Sequence, residues 1–221
     1  MVGRRGLLAV LAGFVLTSMS DSAARGGTIQ DILDSGGSTT VGALKFTFTK
    51  DSASGTGQNG ALTVKDVTVE SVAGGLTFAA SPFLDLKSQT VASLDLTLLF
   101  TVTALDSGRI SGSTLSFKPG LVETGGMSEV DTTFTDRNET LRVFKSNNNE
   151  TITQKLTNSV TFDDRPNSLS VKDVAKLSLT VAQGNQRTIQ LQDLTNTFTV
   201  VPEPSTWGLA MIAGLVGLGF L

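Results

Sequence analysis

The chain of 221 residues contains no cysteine, no histidine and no tyrosine. Each absence removes a class of chemistry. Without His or Cys there is no Ser-His-Asp triad, no Cys-His nucleophile and no zinc site of the usual kind. Without Cys there is no disulfide framework, so the fold must be held by its core alone. Charge is scarce and nearly balanced, 17 Lys+Arg against 20 Asp+Glu for a formal net charge of −3. That balance argues against a nucleic-acid partner, which calls for a net basic face. Tryptophan occurs once, at position 207, and proline only 5 times. What fills the chain instead is hydroxyl: 30 Thr and 22 Ser. Threonine in such amounts favours strands, because a β-branched side chain suits a pleated surface.

The N-terminus has the layout of an export signal. Arg4 and Arg5 supply a positive start, residues 6–17 are uncharged and largely apolar, and Ser22-Ala23-Ala24 places small residues where a signal peptidase reads. Cleavage is expected after Ala24, making residues 1–24 a signal peptide with a helical apolar stretch. At the other end, Val201-Pro202-Glu203-Pro204-Ser205 precedes Thr206, Trp207 and a run, 208–221, without a charged residue. The two prolines should end the last strand and leave this segment extended, its backbone accessible and without a ladder partner. Trp207 stands where an interfacial aromatic anchors a membrane helix, and Gly208, Gly214, Gly217 and Gly219 are residues that membrane helices tolerate better than soluble ones.

The Pro202-Glu203-Pro204 tripeptide, the apolar segment behind it and the signal peptide in front together resemble the PEP-CTERM sorting signal of exported bacterial proteins. The resemblance covers the last 21 residues most clearly. It implies recognition by an exosortase, a membrane-embedded processing enzyme that acts near the tripeptide. It also implies transient anchoring in the inner membrane through the tail, then delivery to the cell surface or extracellular matrix, often in bacteria that make exopolysaccharide. One feature of that pattern is missing. The signal normally closes with a short Arg or Lys cluster, whereas this sequence stops at Leu221. The 15 residues from Trp207 to Leu221 would make roughly 22 Å of helix, short of the roughly 20 residues that a full span needs. Either the natural chain runs a few residues further, which is the expectation, or the signal is degenerate.

Between the ends, residues 25–201 are expected to form one domain. Only 28–33 reads as a helix, with Thr28 as its cap, Ile29, Ile32 and Leu33 on one face, and Gly36-Gly37 as its end. Elsewhere the period is two. Leu44, Phe46 and Phe48 alternate with Lys45, Thr47 and Thr49, and Leu94, Leu96, Leu98, Phe100 and Val102 alternate with polar residues, Leu99 excepted. Leu62, Val64, Val67 and Val69 continue the pattern across what reads as a β-bulge at Lys65-Asp66. Further strands are expected around 76–80, 109–117, 130–135, 140–145, 151–162, 169–181 and 188–200. Residues 52–60 read as a hairpin loop, and Asp106-Ser107-Gly108 as a tight turn. About ten strands, each with one apolar face, need a second sheet to cover that face. The expected fold is all-β: a single antiparallel β-sandwich, jelly-roll-like, flanked by the N-terminal signal helix and a C-terminal hydrophobic helix. The echo of Val64-Lys65-Asp66-Val67 in Val171-Lys172-Asp173-Val174 has no regular period and is not read as a repeat.

Chemistry is sparse. Asp163-Asp164 is the one adjacent carboxylate pair in the sequence, but it leads into Arg165-Pro166 and reads as a turn, not a glycosidase-type dyad. Asp31 and Asp34 share a helical turn. Asp131, Asp136 and Glu139 crowd one region without the spacing of a calcium loop. The strand phenylalanines at 46, 48 and 100 are assigned to the core. No catalytic residue, metal site or cofactor is expected, and the chain reads as a non-enzymatic surface or matrix protein. The alternative is a secreted carbohydrate-binding module or hydrolase that uses carboxylates or calcium.

Overall fold

The computed structural model describes residues 26–79, 84–90, 92–148, 151–180 and 186–203. The signal segment 1–24 with its cleavage residue Ala24, Pro204 and the apolar stretch 208–221 lie outside the described residues. A short strand β1 (Gly27–Thr28) leads into α1 (Ile29–Asp34), the only helix among the described residues. Next come β2 (Ser38–Val41), β3 (Leu44–Thr47), β4 (Ala53–Gly57), β5 (Gly60–Thr63), β6 (Thr68–Val72), β7 (Gly75–Ala79) and β8 (Asp85–Ser88). The longer strands follow: β9 (Ala92–Ala104), β10 (Gly108–Val122), β11 (Gly126–Phe134) and β12 (Glu139–Asn148). The described residues close with β13 (Thr151–Lys155), β14 (Thr157–Thr161), β15 (Ser168–Leu179) and β16 (Arg187–Pro202).

The strands form two antiparallel sheets. The larger runs β13-β12-β11-β15-β9-β3-β2, with β4 also on β9 and β5 on β4. The smaller runs β1-β6-β7-β16-β10-β14, with β8 also on β16. The alternation explains why they stack. In β9 Leu94, Leu96, Leu98, Phe100 and Val102 are buried, and in β15 so are Leu169, Val171, Ala175, Leu177 and Leu179. Such strands strip one face of the sheet of water-compatible groups, and the opposite sheet covers it. The contact is direct: Phe46 of the larger sheet lies 6.0 Å from Phe198 of the smaller, and Phe100 lies 5.4 Å from Phe78, centroid to centroid. Tilted aromatic pairs at these distances add to the area they bury. The assignment of Phe46, Phe48 and Phe100 to the core is borne out.

Helix α1 forms where the sequence placed it. The Thr28 hydroxyl accepts from the Asp31 amide at 3.2 Å, and Asp31 accepts from the Thr28 amide at 2.7 Å, a reciprocal capping box. The helix ends as the Gly37 N–H reaches back to the Ile32 carbonyl, with Gly37 at φ +74°.

Several expectations need correction, most of them for one reason. Alternation shows which residues face inward but not where the chain changes sheets. Lys65-Asp66 is not a bulge. It is a turn between β5 in the larger sheet and β6 in the smaller, closed by the Asp66 N–H on the Thr63 carbonyl and by Asp66 accepting from the Thr63 amide. Residues 151–162 are not one strand: β13 belongs to the larger sheet and β14 to the smaller, with Leu156 at the corner. The Asp106-Ser107-Gly108 turn is tight, with φ of 51° and 61° at Asp106 and Ser107 and the Gly108 N–H on the Leu105 carbonyl. The strands it joins, β9 and β10, nevertheless lie in different sheets. Finally, 52–60 is not all loop. Its Ser- and Gly-rich stretch makes β4, in which Gly55 sits so close to β9 that a Cβ would meet the Asp95 carbonyl oxygen at 2.2 Å.

Gly75 is held still more tightly against β16: a Cβ there would fall 1.9 Å from the Asn196 carbonyl oxygen and 2.7 Å from the Thr197 Cα. Gly42, at φ +55°, has nothing within 4 Å of that position. Gly42→Ala should therefore cost only the left-handed backbone penalty of about 1–2 kcal/mol. Gly75→Ala must displace backbone and should cost more than that. Urea unfolding of the two variants checks the order, and equal midpoints would contradict the close approach.

Candidate functional site

Of the expected sorting residues, Pro202 and Glu203 are described, and their setting corrects one expectation. Strand β16 does end at Pro202, as the prolines require, but the segment is not unpartnered. Val201 lies opposite Arg109 and Pro202 opposite Gly108 at the start of β10. Pro is tolerated there because it is the strand's final residue and owes the ladder no further N–H. The Glu203 carboxylate accepts from the Arg109 guanidinium, Nε to Oε1, at 2.5 Å. The tripeptide thus begins on the folded domain, pinned at the rim where β9 turns into β10.

Most of the carboxylates considered for chemistry have structural work. Asp164 pairs with Arg137 through both guanidinium ends, and these hydrogen bonds hold its carboxyl below the usual range. Arg137 also lies over the Phe162 ring at 5.0 Å. Asp31 caps α1, and the Thr28 amide and hydroxyl lower its pKa. Asp34 accepts from the Gln30 side-chain amide at 2.7 Å. The region of Asp131, Asp136 and Glu139 does not converge. Asp136 accepts the Ser170 N–H at 2.8 Å, while Asp131 lies 3.7 Å from Arg142 and is raised by partial burial and by neighbouring Glu129. Among the described residues no three potential ligands gather into a metal-sized group.

The polar cluster that the structure does assemble was not anticipated. It consists of Asp173 on β15, Thr132 on β11 and Asn196 on β16, all fully buried. Thr132 and Asp173 are opposite each other in the larger sheet. The Thr132 hydroxyl donates to Asp173 Oδ1 at 2.5 Å. From the facing sheet, the Asn196 side-chain amide donates to Asp173 Oδ2 at 2.6 Å. One carboxyl thereby ties the two sheets together through the middle of the core. Burial pushes the Asp173 carboxyl up to about 7, against the opposing pull of the Thr132 and Asn196 hydrogen bonds. The Asn196 Oδ1 and Ser128 Oγ atoms are buried without partners. One signal could have found this site: Asp173 falls on the inward parity of 169, 171, 175, 177 and 179, where every other residue is apolar. The apparent echo of Val64-Lys65-Asp66-Val67 is thereby explained as chance, since Asp66 sits in a turn and Asp173 in mid-strand.

The outer face of the larger sheet is covered by hydroxyls and paired charges. Thr103 and Ser168 bond across β9 and β15 at 3.0 Å, and Thr133 and Thr140 across β11 and β12 at 3.3 Å. Arg142 pairs with Glu129 and lies over Phe144 at 5.9 Å. A shallow depression on this face is lined by Thr47, Thr49, Leu99, Thr101, Thr135 and Ser170. Of the phenylalanines in described segments, Phe144 is the one that is not buried.

Removing the clasp's acceptor should be costly. Asp173→Ala would leave the Thr132 hydroxyl and the Asn196 amide buried without a partner, each such loss costing about 1–3 kcal/mol. Urea unfolding at pH 5 should show a drop of at least that size. A variant as stable as the wild type would show that the clasp contributes nothing.

No family model matches the chain, and no curated protein matches it. Among solved structures, it is similar to a carbohydrate-binding module from work on promiscuous specificity in a β-sandwich superfamily, at 12% identity and a TM-score of 0.22. The alignment covers 82% of this chain and 62% of that one. A likeness of that size carries no argument about fold or ligand.

Proposed function

We propose that the chain is an exported, non-catalytic protein of the bacterial cell surface or extracellular matrix, sorted through Pro202-Glu203-Pro204 and processed there by an exosortase. The observation that carries this reading is the order of features at the C-terminus: a proline-punctuated tripeptide, one Trp and an uncharged apolar run, behind a chain that opens with an export signal. Before processing, residues 208–221 insert in the inner membrane and hold the domain outside. Glu203 marks the boundary, because a carboxylate enters hydrocarbon only at high cost.

The domain's chemistry fits this role. Apart from the buried Asp173, acidic side chains such as Asp31 and Asp164 cap a helix or pair with an arginine, and the core aromatics are turned away from solvent. A face of threonine and serine hydroxyls is a hydrated surface suited to a matrix, and exopolysaccharide is the candidate partner there. The depression lined by Thr47, Thr101 and Ser170 together with Leu99 offers such a polymer hydroxyl hydrogen bonds beside an apolar patch, without a flat aromatic platform.

Replacing Pro202, Glu203 and Pro204 together by Ala should leave the domain folded, since all three lie at or past the last pairing of β16. In a host with an exosortase, the variant should stay membrane-bound with its tail intact while the wild type matures. Identical maturation of the two would overturn the sorting reading.

A further inference from the structure

We propose that the Thr132–Asp173–Asn196 clasp makes the joint between the two sheets proton-responsive: the folded domain is more stable when the Asp173 carboxyl carries a proton than when it is a buried, uncompensated charge. The geometry accommodates the protonated form without moving a heavy atom. In that form a proton on Oδ1 is donated to the Thr132 hydroxyl oxygen, 2.5 Å away, the Thr132 O–H rotating off this contact, and Oδ2 goes on accepting from Asn196 at 2.6 Å. The ionised form has two neutral donors and no cation.

That lack of a counter-charge follows from the strand pattern around the site. On β15 itself, Lys172 and Lys176 are exposed on the opposite face. On β11 the inward residues beside Thr132 are Val130 and Phe134, while Glu129 and Asp131 engage Arg142 on the outer face. On β9, Leu96, Leu98 and Phe100 point in, and Asp95 has the outward parity. On β16, Leu194 and Phe198 flank Asn196, with Asp193 on the other parity. On β10, Ser113, Leu115 and Phe117 face the core, while Lys118 is exposed. Burial is the largest influence on the Asp173 carboxyl and raises it, while the hydrogen bonds from Thr132 and Asn196 oppose it. A carboxylate removed from water among apolar walls and uncharged donors is poorly compensated, so the folded state favours the acid.

The direction of the pH response follows. In the unfolded chain the Asp173 carboxyl ionises near 3.8, and in the folded protein near 7. Between these values the folded state holds a proton that the unfolded state has lost, so stability falls as pH rises through this window and levels off above it. This is the reverse of ordinary acid denaturation. Asp31 and Asp164, whose carboxyls are lowered, add the usual opposite trend only at the acid end.

The test is urea unfolding of the wild type and Asp173→Asn across pH 4 to 8. The variant keeps the shape of the carboxyl but cannot ionise. The wild-type folding constant, divided by that of the variant, should fall by up to about tenfold per pH unit toward pH 7 and then flatten. A ratio independent of pH would overturn the proposal. Should the variant not fold, carboxyl carbon NMR of the wild type decides. A buried aspartate titrating near neutrality is the expected result, and one titrating near 4 is the overturning one.

Discussion

The sandwich depends on one strand, β16. It pairs with β7 and β8 along one side and with β10 along the other, so it lies at the middle of the smaller sheet. It sends Ile189, Leu191, Leu194 and Phe198 into the core, and between the last two it sends Asn196 across to Asp173. It also ends in the Pro202-Glu203 start of the tripeptide, with Glu203 tied to Arg109. The strand that completes the core is thus continuous with the segment proposed to direct the protein to the surface. A chain whose last strand completes its sheet cannot bury that core until the whole domain is present, and such long-range pairing is late and slow to form.

Without cysteine, the domain has no disulfide to lock it. Its substitute is apolar burial on two facing sheets, plus one polar tie through the centre. The tie is specific rather than strong. A buried carboxyl is expensive to dehydrate, and what it returns is alignment, since Thr132, Asp173 and Asn196 meet only when the two sheets are in register. A core of leucine, valine and phenylalanine alone tolerates sliding more readily than one that must satisfy a carboxyl from both sides.

Much of this fold was legible in the sequence. Leu44–Phe46–Phe48 and the run from Leu94 to Val102 announced their strands and their inward faces, and Thr28 announced its helix, because period and capping are local properties. The change of sheet at Lys65-Asp66 and at Leu156 was not legible, since alternation is the same on either side of a corner. Nor was β4, whose partner is the β9 backbone beside Gly55 and not a side-chain pattern. The clasp was hidden for a different reason. A single Asp on the inward parity looks like an interruption until Thr132 and Asn196, both distant in sequence, are brought to it. At the C-terminus the tripeptide was legible as a motif, but its docking against Arg109 was not.

The most direct measurement is the intact mass of the wild-type protein recovered from outside a host that carries an exosortase. The account predicts a chain that begins at Arg25 and has lost the apolar residues 208–221, and a membrane-retained precursor still bearing them in the same host without the enzyme. Finding residues 208–221 still attached to the protein recovered outside the cell, in both hosts alike, would contradict it.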